Sequence, residues 1–592
     1  MTNIILLPFI AGTFCFIIPR LREVIAILSS LAVSIMAFIL FINRPSNTEW
    51  LAYGNLNGFI LIGIGIFGLL ISMYSLRFMK GKDRLNEYYA YLLWTLGAAC
   101  GAVLSNNLYI LLAFWGFSGF TLYMLIGLGN PESAVSAKKT LIIVGGTDAI
   151  LAMGFAIIHL ISDKTTIDTI SISATSTLAI TAFIFVSIAA FAKAGAMPFH
   201  TWIPDSAENA PLPVMAYLPA ALDKLLGIYL LARISMDMFV IGAGSFISIF
   251  LLVIGAVTIV AAVMMALVQH NAKKLLSYHA ISQVGYMVLG IGTGNPIGIA
   301  GGLFHMLNNA IYKSCLFLTT GHVEHKTGTT ELDRLGGLAK ALPITFFAFL
   351  VAAFSISGIP PFNGFISKWM IYQGIIHLND QGNLWIVLLI VAMFGSSLTL
   401  ASFMKLIHAI FLGQGSSTKT EKAGKITFSM WLPTVILSGL CIIFGIFAHQ
   451  IPLKYFIQPA VKGLDISNTA WNPELATVLI LVGLLIGLII YSLGSAKKVR
   501  VDASFIGGEK LSNDVRVTGA DFYTTITDIK SLSKVYKLAK DRTFDIYDIA
   551  RSITKGSVSF LKKIQTGLLS DYLMWYFIGI FGLLAAFIFS FC

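Results

Sequence analysis

The chain has 592 residues, of which 57% are hydrophobic and only 11% are charged. Soluble globular domains carry about 25% charged residues, so a soluble enzyme is excluded and a polytopic membrane protein is indicated. The formal surplus of +12 lies in short loops beside apolar runs, which argues for membrane orientation and against nucleic-acid binding.

Apolar runs long enough to cross about 30 Å of hydrocarbon as helices recur from the N-terminus onward. Spans are predicted at 3–18, 23–42, 57–78, 87–104, 107–128, 139–161, 178–202, 212–232, 241–267, 276–293, 297–320, 341–378, 383–412, 428–449, 474–493 and 571–591. That makes about sixteen. The first run leads through Pro19-Arg20-Leu21-Arg22 into the second with no basic region before it, so it reads as a span and not as a cleavable signal. Basic residues gather after the odd-numbered spans: Arg20 and Arg22 after span 1, Arg77, Lys80, Lys82 and Arg84 after span 3, Lys138 and Lys139 before span 6, and Lys273 and Lys274 after span 9. Lys326, Arg334 and Lys340 after span 11, Lys419, Lys422 and Lys425 after span 13, and Lys497, Lys498 and Arg500 after span 15 continue the alternation. The positive-inside rule then places the N-terminus outside and the odd-numbered connections in the cytoplasm.

Two apparent cofactor signals fail. Gly63-x-Gly65-x-x-Gly68 has dinucleotide-fingerprint spacing but lies inside span 3 with no soluble strand before it, where helix packing accounts for it. The cysteines Cys15, Cys100, Cys315, Cys441 and Cys592 show no C-x-x-C spacing, so neither iron-sulfur ligation nor a disulfide framework is supported.

Spans 7 and 12 carry the same interruption, Phe-x-x-x-Gly-x-x-Pro-Phe, at Phe191/Gly195/Pro198/Phe199 and at Phe354/Gly358/Pro361/Phe362. The shift from span 7 to span 12 is five helices, and an odd shift inverts the second copy in the membrane. Two inverted repeats, each with one discontinuous helix, are the expected result, an arrangement that points to ion transport. Charges inside the spans agree, because an ionisable side chain at mid-membrane costs roughly 2.5 kcal/mol or more and is functional by default. Lys193 lies just before the first break, Lys224 in Leu222-Asp223-Lys224, and Lys368 after the second break. His305 and Lys313 share one face of span 11, just over two turns apart at roughly 12 Å. Asp223 reads either as a static partner of Lys224 or as part of the path. Asp148 lies in Gly145-Gly146-Thr147-Asp148-Ala149, deep in span 6, where it needs a partner. His159, His279 and His408 fall near span ends and are read as capping or solvated residues.

Residues 495–570 form one extended polar stretch with nine basic residues from Lys530 to Lys563. From Asp521 to Gln565 its apolar residues recur at helical spacing, which predicts an interfacial amphipathic helix. The chain then re-enters the membrane.

The run Ala192-Lys193-Ala194-Gly195-Ala196-Met197-Pro198-Phe199-His200-Thr201-Trp202-Ile203-Pro204-Asp205, followed by Pro211-Leu212-Pro213-Val214, resembles the signature of antiporter-like proton-translocating subunits. That family is shared by complex I, group 4 membrane-bound [NiFe] hydrogenases (Ech type) and Mrp-type Na+/H+ antiporters. His305 with Tyr312-Lys313, Ser282-Gln283-Val284-Gly285-Tyr286, and Gly358-Ile359-Pro360-Pro361-Phe362-Asn363-Gly364-Phe365 with Ser367-Lys368 extend the resemblance over roughly residues 60–450. It implies an all-α polytopic fold with two inverted five-helix repeats, a C-terminal lateral amphipathic helix and an anchoring helix. It makes Lys193 the principal lysine of a first half-channel, Lys224 its connecting partner, Lys313 the central lysine and Lys368 the terminal lysine of a second half-channel. The expected segments are 1–86 (spans 1–3), 87–235 and 236–415 (the repeats), 416–494 (spans 14 and 15), 495–570 (lateral helix) and 571–592 (anchor).

Three positions depart from the family pattern. Ala113-Phe114-Trp115-Gly116-Phe117 lacks the usual glutamate after the Phe-Trp pair, Asn309 replaces a common second histidine, and Asn271 replaces an aspartate. Asp148 is the candidate substitute acid for Lys193. Ala137-Lys138-Lys139-Thr140 and Val144-Gly145-Gly146-Thr147-Asp148 resemble the hydrogenases most closely, implying a ferredoxin-linked, redox-driven complex in a prokaryotic cytoplasmic membrane. In that case the iron-sulfur clusters and the NiFe centre belong to cytoplasmic partner subunits, this chain holds no cofactor, and it moves H+ or Na+ beside other membrane subunits. The alternatives are a subunit of an Mrp-type antiporter, a subunit of complex I, or a scaffold with a decayed channel.

Overall fold

The computed structural model describes residues 1–242, 244–414, 425–464, 472–493, 507, 519–565 and 567–591. The basic residues Lys419, Lys422, Lys497, Lys498 and Arg500, and most of the polar stretch between 494 and 518, lie outside these. The chain divides into unit 1, Met1–Ile529, and unit 2, Lys530–Cys592.

Unit 1 is a helical bundle of α1 (Thr2–Ile17), α2 (Arg22–Asn43), α3 (Asn55–Phe78), α4 (Leu85–Leu104), α5 (Leu108–Ile126), α6 (Ser133–Ser162), α7 (Thr177–Ala194), α8 (Trp202–Asn209), α9 (Leu212–Tyr217), α10 (Asp223–Arg233), α11 (Phe246–Leu267), α12 (Ala272–Gly292), α13 (Pro296–Thr327), α14 (Pro343–Ser357), α15 (Asn363–Ile376), α16 (Leu384–Ile407), α17 (Phe428–Ile446) and α18 (Pro473–Leu493). Each predicted span in this unit has a helical counterpart. Among the described residues of both units, 11 helices are long and apolar enough to cross a membrane, and Thr2–Ile17 and Pro343–Ser357 are shorter apolar ones. The less apolar helices α4, α12 and α13 are largely enclosed by their neighbours. Helices that neighbours surround can carry polar side chains that a lipid-facing helix cannot.

The two breaks share one backbone course. Gly195 (φ 84, ψ 37) ends α7 and Gly358 (φ 79, ψ 43) ends α14, both in the left-handed region, and their N–H groups close back on Phe191 and Phe354. A cis X–Pro bond follows each, at Met197–Pro198 and Pro360–Pro361. A second correspondence lies far from the breaks. Asn107 caps α5 and Asn271 caps α12 through their side chains. Beside them Leu108 N–H donates to Thr165 O at 3.0 Å and Ala272 N–H to Thr330 O at 3.0 Å. The returning bonds run from Ile167 N–H to Asn106 O and from Leu332 N–H to His270 O. The predicted five-helix repeat is therefore present in the backbone, and its odd helix count gives the copies opposite directions. Charges are exchanged between them. Asp148 and Lys313 lie equally far before the left-handed residues Asp163 and Gly328 that end α6 and α13, so an acid in one repeat stands where the other has a lysine.

Helix contacts explain the dinucleotide-like glycines: a Cβ on Gly65 would lie 2.9 Å from Ser34 Cα, and one on Gly68 would lie 2.9 Å from Leu96 Cδ1. The connections after α3, α5, α8, α11 and α13 converge on one cleft of about 660 Å³, lined by Lys82, Arg84, Asn130, Glu208, Lys273 and Glu324 among others. The ends of spans 3, 5, 7, 9 and 11 that carry these connections thus share one end of the bundle. At its C-terminal end, Gly519 and Ala520 are buried and Tyr523 donates to Ala401 O at 3.1 Å.

Unit 2 contains α19 (Lys530–Lys540), α20 (Ile546–Ile564) and α21 (Leu569–Phe591). The expected continuous helix from Asp521 to Gln565 is corrected to two amphipathic helices. Arg542 takes a left-handed φ of 57 between them, and Asp545 starts α20 afresh by accepting from Tyr547 N–H.

Candidate ion-translocation path

At the breaks, Lys224 and Lys368 reach main-chain carbonyls, Ala194 O and Ile356 O, that an unbroken helix would have used internally. Lys193, fully buried near the end of α7, donates to Trp115 O at 3.1 Å and Ser118 Oγ at 2.5 Å, with its ammonium 4.9 Å over the Trp115 ring. Complete burial rules out snorkelling. Lys224, also fully buried, donates to Ala194 O, the residue before the first break. A π-helical turn, Leu218–Leu222, precedes α10 and sets the register in which Lys224 is presented. Pro219 within that turn supplies no N–H, and the sequence reading missed this feature. Asp223 lies within electrostatic range of both Lys193 and Lys224. Its Oδ2 has no protein hydrogen-bond partner, so Asp223–Lys224 is not a closed static pair.

Asp148 stands beside the position of the missing glutamate. A Cβ on Gly116 would lie 3.9 Å from Asp148 Oδ2. A Cβ on Gly119 would lie 3.5 Å from Asp148 Oδ2 and 3.8 Å from Lys193 Nζ, so the two charges are separated by less than the sum of those distances. They make no direct ion pair, and Asp148 Oδ1 lacks a protein partner.

The second half begins with Lys313. Its ammonium donates to Leu276 O at 2.9 Å and lies 5.5 Å from the centre of the Phe403 ring. Electrostatically it neighbours Lys224, which joins the halves. Between them Asn309 donates to Ala220 O at 3.3 Å and leaves its Oδ1 unpartnered. His305 does not turn toward Lys313. Its Nδ1 is 2.9 Å from Ser367 Oγ and its Nε2 is 3.0 Å from Gln283 Oε1, with Tyr312 OH 3.3 Å away. A carbonyl oxygen only accepts, so this Gln283 orientation makes Nε2 the protonated nitrogen. Ser367 adjoins Lys368, whose ammonium donates to Ile356 O at 2.8 Å and Ser396 Oγ at 2.7 Å and lies 4.8 Å from the Tyr286 ring centre. Gly358 holds a left-handed φ of 79, and a Cβ there would sit 3.1 Å from Lys368 Cδ.

The structure also shows buried groups that the sequence reading passed over. His279 is fully buried within α12, not terminal. Lys405 is fully buried in α16, and His322 bridges Thr345 Oγ1 and Met430 O. Asn271 acts as a helix cap that also donates to Glu331 Oε1 at 2.6 Å.

Residues 105–399 match the family described as "NADH:quinone oxidoreductase/Mrp antiporter, TM". The chain belongs to the antiporter-like membrane-subunit family. Within it, the chain is 30% identical over 540 residues to a Na(+)/H(+) antiporter subunit of Bacillus subtilis (strain 168), covering 86% of this chain and 64% of that protein. It is 32% identical over 479 residues to a Na(+)/H(+) antiporter subunit of Staphylococcus haemolyticus (strain JCSC1435), covering 74% and 59%. The chain therefore spans less than two thirds of the length of these curated relatives. Among solved structures, a chain of the archaeal membrane-bound sulfane sulfur reductase, a respiratory membrane complex, matches with a TM-score of 0.84 at 24% identity, over 99% of this chain and 100% of that one. A chain of the Mrp complex from Dietzia sp. DQ12-45-1b matches at 0.69 and 21%, over 79% and 98%. A chain of respiratory complex I from Thermus thermophilus matches at 0.68 and 18%, over 77% and 97%. These likenesses establish the antiporter-like fold.

Proposed function

We propose that this chain moves protons across a prokaryotic cytoplasmic membrane through two half-channels, as one membrane subunit of a redox-driven complex. The observation that carries the proposal is the row of four buried lysines, Lys193, Lys224, Lys313 and Lys368, each donating to a main-chain carbonyl and none closed in an ion pair. Buried ammonium groups without a counter-ion are costly to keep charged, so each lysine exchanges its proton easily. Asp148 and Asp223 are the acids that bias the first half, and His305 conveys protons between the central region and Lys368. The unpartnered polar atoms of Asp148, Asp223, Asn309 and Gln283 lie along the same line, as hydration of the path requires.

The redox attachment is supported by the match to a chain of the sulfane sulfur reductase complex over 99% of this chain, including the C-terminal extension. The specific form proposed is a ferredoxin-linked group 4 [NiFe] hydrogenase, with iron-sulfur and NiFe centres in cytoplasmic partners, the N-terminus outside and the tail segment on the cytoplasmic side. A second reading, membership of an Mrp-type cation/proton antiporter, is favoured by the identity of 30–32% to the antiporter relatives. Purification of the intact complex decides between them: hydrogenase or other redox subunits are expected to co-purify, and a set of small antiporter subunits alone would overturn the redox attachment.

A further inference from the structure

The path above ends at Lys368 and leaves most of the polar line on α16 unused. Ser396, Thr399, Ser402 and Lys405 follow at intervals of three residues, each a neighbour of the next on the helix. Ser396 accepts from Lys368. Thr399, Ser402 and Lys405 are fully buried. Ser402 Oγ lies 2.7 Å from His279 Nε2, and His279 Nδ1 has no protein partner. The His279 ring stands 4.9 Å from the Phe403 ring, the same ring that Lys313 Nζ overlies. At the far end of the line, Lys405 donates to Leu267 O at 2.9 Å and Gln269 O at 3.0 Å. Gln269 belongs to the connection between α11 and α12, at the bundle end where the odd-numbered connections meet. An ammonium has three donors, so one remains free, with Asp333 and Asp521 within electrostatic range.

A bland role exists for Lys405, because a cation on the terminal carbonyls of α11 is an ordinary helix cap. That role does not account for His279, a buried imidazole with one free nitrogen joined to the same helix flank. We propose that His279, Ser402 and Lys405 form a separate proton branch linking Lys313 to the end of the bundle that carries the odd-numbered connections.

The branch works by proton exchange alone. Water at that end protonates the neutral Lys405 amine. The ammonium returns a proton through intervening water to the Ser402 hydroxyl, which hands its own proton to His279 Nε2. The imidazolium releases a proton from Nδ1 toward Lys313, and tautomer exchange restores the starting ring. One proton has moved and no heavy-atom bond has changed. Amine and imidazole nitrogens bind protons and not Na+, so the cargo of this branch is H+.

The inference rests on the reading that Lys313 carries ions, and the test separates the two. The complete complex is reconstituted in vesicles, and proton uptake is followed with a pH-sensitive dye for Lys405→Arg, Ser402→Ala and Lys313→Ala, with assembly checked by native gel. Arginine can cap the same carbonyls but holds its proton, with a pKa above about 12. Lys405→Arg is therefore expected to assemble and to slow uptake by about tenfold or more. Wild-type uptake in Lys405→Arg means a cap only and overturns the branch. Should Lys405→Arg fail to assemble, Ser402→Ala decides, since it leaves the cap intact: slowed uptake supports the branch and wild-type uptake overturns it. Wild-type uptake in Lys313→Ala would instead overturn the proposed function itself.

Discussion

At the scale of single residues, the first half-channel turns on Asp148. The family's glutamate is missing at Gly116, yet the position beside it is open and a Cβ there would sit 3.9 Å from the Asp148 carboxylate. If Asp148 has taken over the missing charge, Asp148→Asn should slow ion movement by about tenfold, or roughly 1.4 kcal/mol on the barrier. Adding Gly116→Glu to that variant should restore most of the rate. Uptake assays on the single and double variants check both steps; an Asp148→Asn variant at full rate would remove Asp148 from the path. Lys193, Lys224, Lys313 and Lys368 were legible in the sequence because each is a charge set deep within an apolar run. Lys405 and His279 were not, since both lie in the stretches where span ends are expected and charges are ordinary there. Nothing in a linear reading shows that neighbouring helices cover them completely.

At the scale of elements, glycines at the second break set how closely helices approach. A Cβ on Gly445 of α17 would meet Pro361 O at 2.0 Å and the Phe362 carbonyl carbon at 2.6 Å, rigid backbone on both counts. Gly445→Ala should therefore destabilise the solubilised chain by about 1–3 kcal/mol or more, visible as a lowered Tm. Gly483→Ala in α18, where nothing lies within 4 Å, should change stability by less than about 0.5 kcal/mol. Equal Tm changes would contradict this reading of the break. The breaks themselves were legible because Gly and Pro recur in fixed order, and their matching φ values confirm it. The tail was only half legible. Its apolar spacing indicated amphipathic helix, but the interruption at Arg542 rests on a local left-handed turn without glycine or proline to mark it. The π-helical turn at Leu218–Leu222 was hidden for a related reason, since an extra residue in a helix leaves hydrophobic composition unchanged.

At the scale of the whole molecule, the alternation of basic loops predicts a sidedness that labelling can test. The ends of spans 3, 5, 7, 9 and 11 meet at one cleft, beside which Lys273 pairs with Glu324 at 3.0 Å and Lys274 with Glu208 at 3.4 Å. An impermeant maleimide should label Asp83→Cys, in that cleft, from the cytoplasmic side, and Thr175→Cys, in the connection between α6 and α7, from the outside. The reverse pattern would invert the orientation. The repeat was legible from two nine-residue motifs and one odd helix count, while the exchange of charge between Asp148 and Lys313 emerges only once the two backbones are superimposed by their caps. The most direct test of the central claim is proton uptake by vesicles containing the intact complex with Lys313→Ala. The buried-lysine path predicts that uptake falls at least about tenfold while the complex stays assembled. Full uptake by an assembled Lys313→Ala complex would contradict it.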